Sequence, residues 1–301
     1  MMQLVIYGLI SGSIITLGAI GLSLTYGILG FANFAHGDIM ALGSYIAFVF
    51  LGLFSQIAVI NAPLGPLSFG AGLLIAMIIA MILTAIAAIL LDKILYKKLR
   101  SSSSITLLIA AVGVSLSLRN LIQFIWGPQP KYYIRDIQLM RKIPGIDAKI
   151  KPDQIFIFAV SMLLVLLVHL FLKNTKMGKA MRAASDNMEL ARITGIDTER
   201  VIMWTWGIGS ALAAAAGVLM GIENKLIVPS AGWDFLLPLF AAVILGGIGS
   251  PYGAMLGGMI IGLSSELSTA FISTSYKPAV AFVILVLMLL VRPRGLLGGK
   301  G

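Results

Sequence analysis

No cysteine occurs among the 301 residues, which excludes disulfides, thiolate nucleophiles and cysteine-held metals. Histidine is almost as scarce. His36 and His169 are the only two, and no His-Glu-x-x-His spacing exists for a zinc hydrolase. Charge is in short supply: Asp, Glu, Lys and Arg make up 11% of the chain, against about 25% in soluble domains. So few ionic groups could not cover a globular surface facing water. No Gly-x-x-x-x-Gly-Lys-Ser/Thr occurs, and the C-terminal Gly298-Gly299-Lys300-Gly301 lacks the hydroxyl residue and the following helix. The chain therefore has no P-loop of its own. If ATP drives its work, another chain binds and hydrolyses it. No catalytic residue and no metal ligand set is expected.

Hydrocarbon is abundant. The chain is 59% hydrophobic, with a mean hydropathy of +1.00. About 20 apolar residues cross a bilayer as a helix. Runs of that kind cover 4–29, 39–53, 71–91, 105–126, 155–172 and 201–222, then a broken stretch 235–272, then 279–291. The expected fold is an all-α polytopic membrane bundle of eight to ten helices, a single domain over 1–301. Met1-Met2-Gln3 carries no basic residue and the run after it exceeds a signal core, so it is expected to stay as the first membrane helix.

The formal net charge of +10 fits basic loops at anionic headgroups. No basic stripe is interleaved with aromatics, so nucleic acid is not an expected partner. Lys93, Lys97, Lys98 and Arg100 follow the third run, Lys173 to Arg200 the fifth, and Arg292, Arg294 and Lys300 close the chain. All three regions can face the cytoplasm, which would place the N-terminus and the loop 127–153 outside. That loop dissents by holding Lys131, Arg135, Arg141, Lys142, Lys149 and Lys151, partly offset by Asp136, Asp147 and Asp153. Trp126, Trp204, Trp206 and Trp233 lie near run ends and suit an interfacial belt.

Two breaks interrupt the apolar pattern. Gly246-Gly247-Ile248-Gly249-Ser250-Pro251-Tyr252-Gly253 cannot continue a helix undisturbed, since Pro251 removes a donor and the glycines favour turns. It is either a tight loop between two helices or the tip of a re-entrant hairpin. The other break holds Asn33, His36 and Asp38 between two apolar runs. One reading is a polar loop with Asp38 capping the next helix. The other is a polar break at membrane depth, where ionisable groups are costly and tend to line a pathway. Arg119, about two-thirds along the fourth run, either snorkels to the headgroups or faces the bundle interior and meets a carboxylate of the protein or of a passing substrate.

The sequence Gly30-x-x-Asn33-Phe34-Ala35-His36-Gly37-Asp38, followed by Met40 and Gly43-Ser44-Tyr45, resembles a signature of the branched-chain amino acid ABC importer permeases. Leu245-Gly246-Gly247-Ile248-Gly249-Ser250 with Gly253-Ala254, and the closing Arg292-Pro293-Arg294-Gly295-Leu296, are similar to the same family. The resemblance covers nearly the whole chain and implies the high-affinity type. It implies a permease pairing with a second, related permease, two ATP-binding subunits and an extracytoplasmic substrate-binding protein, in the inner membrane. Relatives in the same family that carry urea or short amides leave the substrate open. Outside the family, the competing reading is a secondary transporter or channel acting alone, which would need more intramembrane carboxylates.

The loop 173–200 is too polar to span but has helical periodicity. Met181, Ala184, Met188 and Ala191 fall on one face. It is either a helix lying on the membrane surface or a coupling helix docking that strip into a groove on an ATPase. Glu189-Leu190-Ala191-x-x-x-Gly195 resembles the Glu-Ala-Ala-x-x-x-Gly loop of ABC importer permeases, with Leu190 in place of the second residue. That resemblance implies a coupling role for Glu189, Ala191 and Gly195. The outer loop, with Arg141 and Lys142, is expected to dock the binding protein. His169 is read as an interfacial residue.

Overall fold

In hydrocarbon every backbone N–H and C=O must be satisfied inside its own segment, so long apolar runs become helices. The computed structural model describes residues 1–133, 138–142 and 148–298, without the side chains of 58 and 59. Arg135, Asp136, Asp147 and Lys300 lie outside the described residues. The principal helices are α1 (Met2–Leu29), α2 (His36–Phe54), α3 (Ala71–Leu91), α4 (Ser104–Trp126), α5 (Pro152–Asn174), α6 (Lys176–Asp186), α7 (Met188–Ile193), α8 (Thr198–Asn224), α9 (Ala231–Gly246), α10 (Pro251–Ser268) and α11 (Lys277–Val291).

Among the described residues, seven helical stretches are long and apolar enough to cross a membrane. They are α1, α2, α3 prolonged to Leu99, α4, α5, α8, and α11 prolonged back to Thr274. The apolar α9 is shorter, at 16 residues. The 18 residues of α10 are diluted by glycines, serines and Glu266. The protein is an all-α, multi-pass membrane protein.

Burial separates the inner helices from the outer ones. The apolar window of α8 is 83% buried and that of α1 is 67% buried. The windows of α4, α5 and α11 are 28%, 22% and 17% buried. α1 lies along α10, α8 and α9, and α4 rests on α2. Past Leu91, α3 loosens into a π turn, Asp92–Tyr96, before Lys97–Leu99. The basic stretch expected as a loop is thus the last turns of a helix. That turn aims Asp92 at Arg100, 2.5 Å away, and stacks Tyr96 on Trp206 with centroids 5.1 Å apart.

The two ends of the bundle differ. At one, Gln3 and Lys149 exchange hydrogen bonds of 2.9 and 2.8 Å, which ties the N-terminus to the 127–153 loop. A short ladder there pairs β1 (Arg141–Lys142) with β2 (Lys149–Ile150) in antiparallel. The Tyr133 hydroxyl donates to the Ser44 carbonyl over 2.5 Å, and burial pushes that phenol above its ordinary range. At the other end sit α6, the α9–α10 turn and residues 292–298. The N-terminus and the C-terminal segment therefore lie at opposite ends of the bundle.

The aromatic belt needs correction. Trp206 is fully buried, and Trp233 lies under the Arg119 guanidinium at 4.7 Å. Trp206 therefore does not sit at an interface, whereas Trp233 is 42% exposed.

Candidate functional site

α1 ends at Gly30, whose φ of 71 is left-handed and costs glycine little. The five residues that follow do not leave the bundle. Phe31 packs on Tyr96 at 5.3 Å and Phe34 on Phe240 at 5.1 Å. His36 then opens α2 with Nε2 3.0 Å from the Gly18 carbonyl oxygen, about three helical turns back from the end of α1. α2 thus begins well inside the bundle.

α9 begins at the same depth. Gly37 and Gly232 meet backbone to backbone, and a Cβ on either would overlap the other's carbonyl. Two helix N-termini therefore face each other in the interior. Each brings a positive dipole end, although the Ala231, Trp233 and Asp234 amides of α9 already donate to Val228 and Ser230.

Asp38, in the first turn of α2, is fully buried beside this junction. Arg119 of α4 donates to it twice, Nε to Oδ1 and Nη2 to Oδ2, each over 3.1 Å. The Ser115 hydroxyl donates to the same carboxylate. The reading of Asp38 as a helix cap is corrected: the capping position is Ala35, with no side-chain bond. Arg119 does not snorkel, since its counter-ion lies inward. A buried pair of this kind is costly to desolvate and strongly destabilising to break from one side.

Asn33 and His36 serve the turn itself in this conformation. The Asn33 side-chain oxygen accepts from the Ala35 amide over 3.1 Å, and its Nδ2 has no partner among the described residues. The His36 ring is spent on the α1 carbonyl. Among the described residues no cluster of three or more His, Asp or Glu could hold a metal.

The polar 173–200 segment forms an elbow of two helices, α6 and α7, broken at Asn187. Asn187 caps α7 by accepting from the Leu190 amide over 2.9 Å. The apolar strip expected to face an ATPase faces this chain instead. Met181, Ala184 and Ala191 are buried, and Met188 is half-buried. Glu189, Leu190, Ile193 and Gly195 face outward, with Leu190 58% and Ile193 83% exposed. Gly195 closes the elbow at φ 88.

The chain matches the family model described as "Branched-chain amino acid transport system / permease component" over residues 4–291. It belongs to that family. It is 36% identical to the "High-affinity branched-chain amino acid transport system permease protein LivH" of Escherichia coli over 99% of this chain and 95% of that protein. It is 34% identical to BraD of Pseudomonas aeruginosa over the same shares. LivM of E. coli is 31% identical over 48% of this chain and 34% of its own length. No solved structure matches. The relatives are transport permeases, so this member of the family is a permease and not an enzyme.

In this permease the second break is a tight turn between α9 and α10. Gly247 and Gly249 hold φ of 108 and 80, Pro251 opens α10, and the Ser250 hydroxyl accepts from the Gly253 amide over 3.1 Å. Gly246 and Gly253 touch where the two helices diverge. The closing segment lies over this turn. Leu296 and Leu297 donate their amides to the carbonyls of Leu245 and Gly246 over 2.8 and 2.9 Å.

Sequence reasoning named that closing segment without a role, and it missed Ser115 and Trp233 as partners of Arg119. The signal for Ser115 was available: it stands four residues before Arg119, on the same helix face. Trp233 had no such signal, because the depth at which α9 starts is a tertiary fact. His169 was read as interfacial; its Nδ1 lies 3.0 Å from the Tyr252 hydroxyl, across from α10.

Proposed function

We propose that the chain is one of two permease subunits of an ATP-driven importer for leucine, isoleucine and valine in the inner membrane. One observation carries the reading: a chain similar to LivH along its length joins a charged break at membrane depth to an outward elbow at its basic end. Lys93, Lys97, Lys98, Lys173, Lys176, Lys179 and Arg182 all belong to that end. The positive-inside rule makes it cytoplasmic, with the N-terminus outside.

Asn33, His36, Asp38 and Arg119 form the wall of the path where α2 and α9 begin. The positive dipole ends of the two helices there favour a substrate carboxylate. The elbow transmits motion from two ATPase subunits through Glu189, Leu190, Ile193 and Gly195. Met181, Ala184, Met188 and Ala191 fasten it to the bundle. Gly246, Gly247, Gly249, Pro251 and Gly253 form the hinge, and the loop carrying Arg141 and Lys142 receives a binding protein. The second permease is an unlike relative, a reading supported by the partial match to LivM.

A stand-alone secondary transporter is the weaker reading. Its ion coupling needs free carboxylates at depth. Here Asp38 is bound to Arg119, Asp92 to Arg100 and Glu266 to Lys277, which leaves exposed Asp234 at the start of α9 as the one carboxylate near this depth without an ion pair among the described residues. Affinity purification from native membranes in mild detergent tests the point. Two nucleotide-binding subunits and a second permease should co-elute; elution of this chain alone, in transport-active form, contradicts the proposal.

A further inference from the structure

Four helices at the edge of the bundle leave most of their surface uncovered, and three do so with hydrocarbon alone. Within the spans, α3 exposes Ile78 and Ile82, α5 exposes Leu166 and Leu167, and α11 exposes Val283 and Leu287. Lipid covers such faces without cost. The fourth, α4, is different. Midway along it, beside Arg119, Ser117 and Asn120 are exposed.

Each satisfies one donor within its own helix. The Ser117 hydroxyl donates to Gly113 over 2.8 Å and the Asn120 amide to Leu116 over 2.7 Å. The Asn120 side-chain carbonyl has no partner among the described residues. Trp233 is 42% exposed where it covers Arg119, and the next residue, Asp234, is exposed in the first turn of α9. An amide left unpaired in hydrocarbon is costly, and a carboxylate more so. Acyl chains therefore cannot be the neighbour of this face. Its exposed apolar residues, Leu116 and Phe124 among them, equally argue against open water over the whole of it. The mixture is that of a protein contact with a wet margin.

This inference rests on the chain being one of two permease halves. We infer that the face of α4 bearing Ser117 and Asn120, continued by Trp233 and Asp234 of α9, meets the second permease across a water-lined seam. That seam is the translocation path, and its wall includes Arg119, whose side chain is 16% exposed. α3, α5 and α11 face lipid.

The absence of native cysteine makes the test clean. Ser117→Cys, Asn120→Cys, Leu166→Cys and Leu287→Cys are made singly in the full chain, expressed with its partners in native membranes. Each is labelled with a benzophenone maleimide, irradiated and resolved by mass. A product containing both permeases is expected at positions 117 and 120 and lost at 166 and 287. A hydrophilic methanethiosulfonate should react at 117 and 120 about tenfold faster or more, because apolar surroundings raise a thiol's pKa and each unit costs about tenfold in thiolate. If all four positions behave alike while the second permease still co-purifies, the seam is elsewhere and the inference falls alone. If no second permease is present in the purified material, the two-subunit reading falls with it.

Discussion

Asp38 and Arg119 are 81 residues apart in sequence, and Arg119 Nη2 lies 3.1 Å from Asp38 Oδ2. The pair joins α2 to α4, a helix that otherwise touches little of the bundle. The Asp38 side chain is fully buried, whereas that of Arg119 is 16% exposed. This asymmetry decides what each deletion does.

Arg119→Ala strands a carboxylate that has no route to water. Breaking a buried pair from one side costs about 3–5 kcal/mol. Asp38→Asn leaves a guanidinium that can turn outward, so its cost is smaller. Thermal unfolding in detergent, followed by size-exclusion chromatography, should show the larger loss for Arg119→Ala. The double variant should lose less than the two single losses added. Equal single losses would argue against the geometry.

The contact between α2 and α9 has no room for a side chain. Gly37→Ala and Gly232→Ala should each cost about 1–3 kcal/mol, as overpacking does, and should abolish transport by parting the two helix starts. Gly52→Ala, later on α2 and with nothing nearby, should be neutral or slightly stabilising. The same unfolding assay checks all three. A neutral Gly37→Ala would mean that the helices do not meet there.

In the proposed importer the elbow separates fastening from coupling. Met181→Ala removes a buried side chain and should cost about 2–5 kcal/mol of stability. Leu190→Asp and Ile193→Asp alter exposed positions and should leave the permease stable while reducing co-purifying ATPase. Loss of ATPase with Met181→Ala at full stability, and none with Leu190→Asp, would invert the assignment.

Arg141 and Lys142 are exposed on β1 at the end of the bundle that carries the N-terminus, which the proposed orientation places outside. Their reversal to Glu should lower uptake while leaving subunit assembly intact, and the effect should shrink as salt screens the contact. Uptake in membrane vesicles supplied with excess binding protein measures this. Unchanged uptake at low salt would remove the loop from docking.

The bundle was largely legible in the sequence because lipid imposes one rule on every segment: about 20 apolar residues make a helix. The charged break at 30–38 was legible for the same reason, since Asp38 so near an apolar run is conspicuous. The matching break before α9 was not. Val228-Pro229-Ser230-Ala231-Gly232 reads as an ordinary loop, and only its contact with Gly37 shows that it lies at depth. The elbow was half legible. Periodicity found the face of Met181 and Ala184 but not its direction, because an apolar strip is equally suited to its own bundle and to a partner. The choice between snorkelling and pairing for Arg119 depended on where α4 leans, which no local pattern encodes.

The central claim is that this chain is the membrane half of a branched-chain amino acid importer and moves nothing by itself. Uptake of labelled leucine, isoleucine, valine and urea in cells lacking the chain tests it most directly, alongside the purified chain alone in liposomes. The account predicts loss of uptake for the three amino acids, rescue by the intact chain, no change for urea, and no transport by the lone chain. Undiminished leucine uptake in the deletion, or transport in liposomes without ATPase subunits, would contradict it.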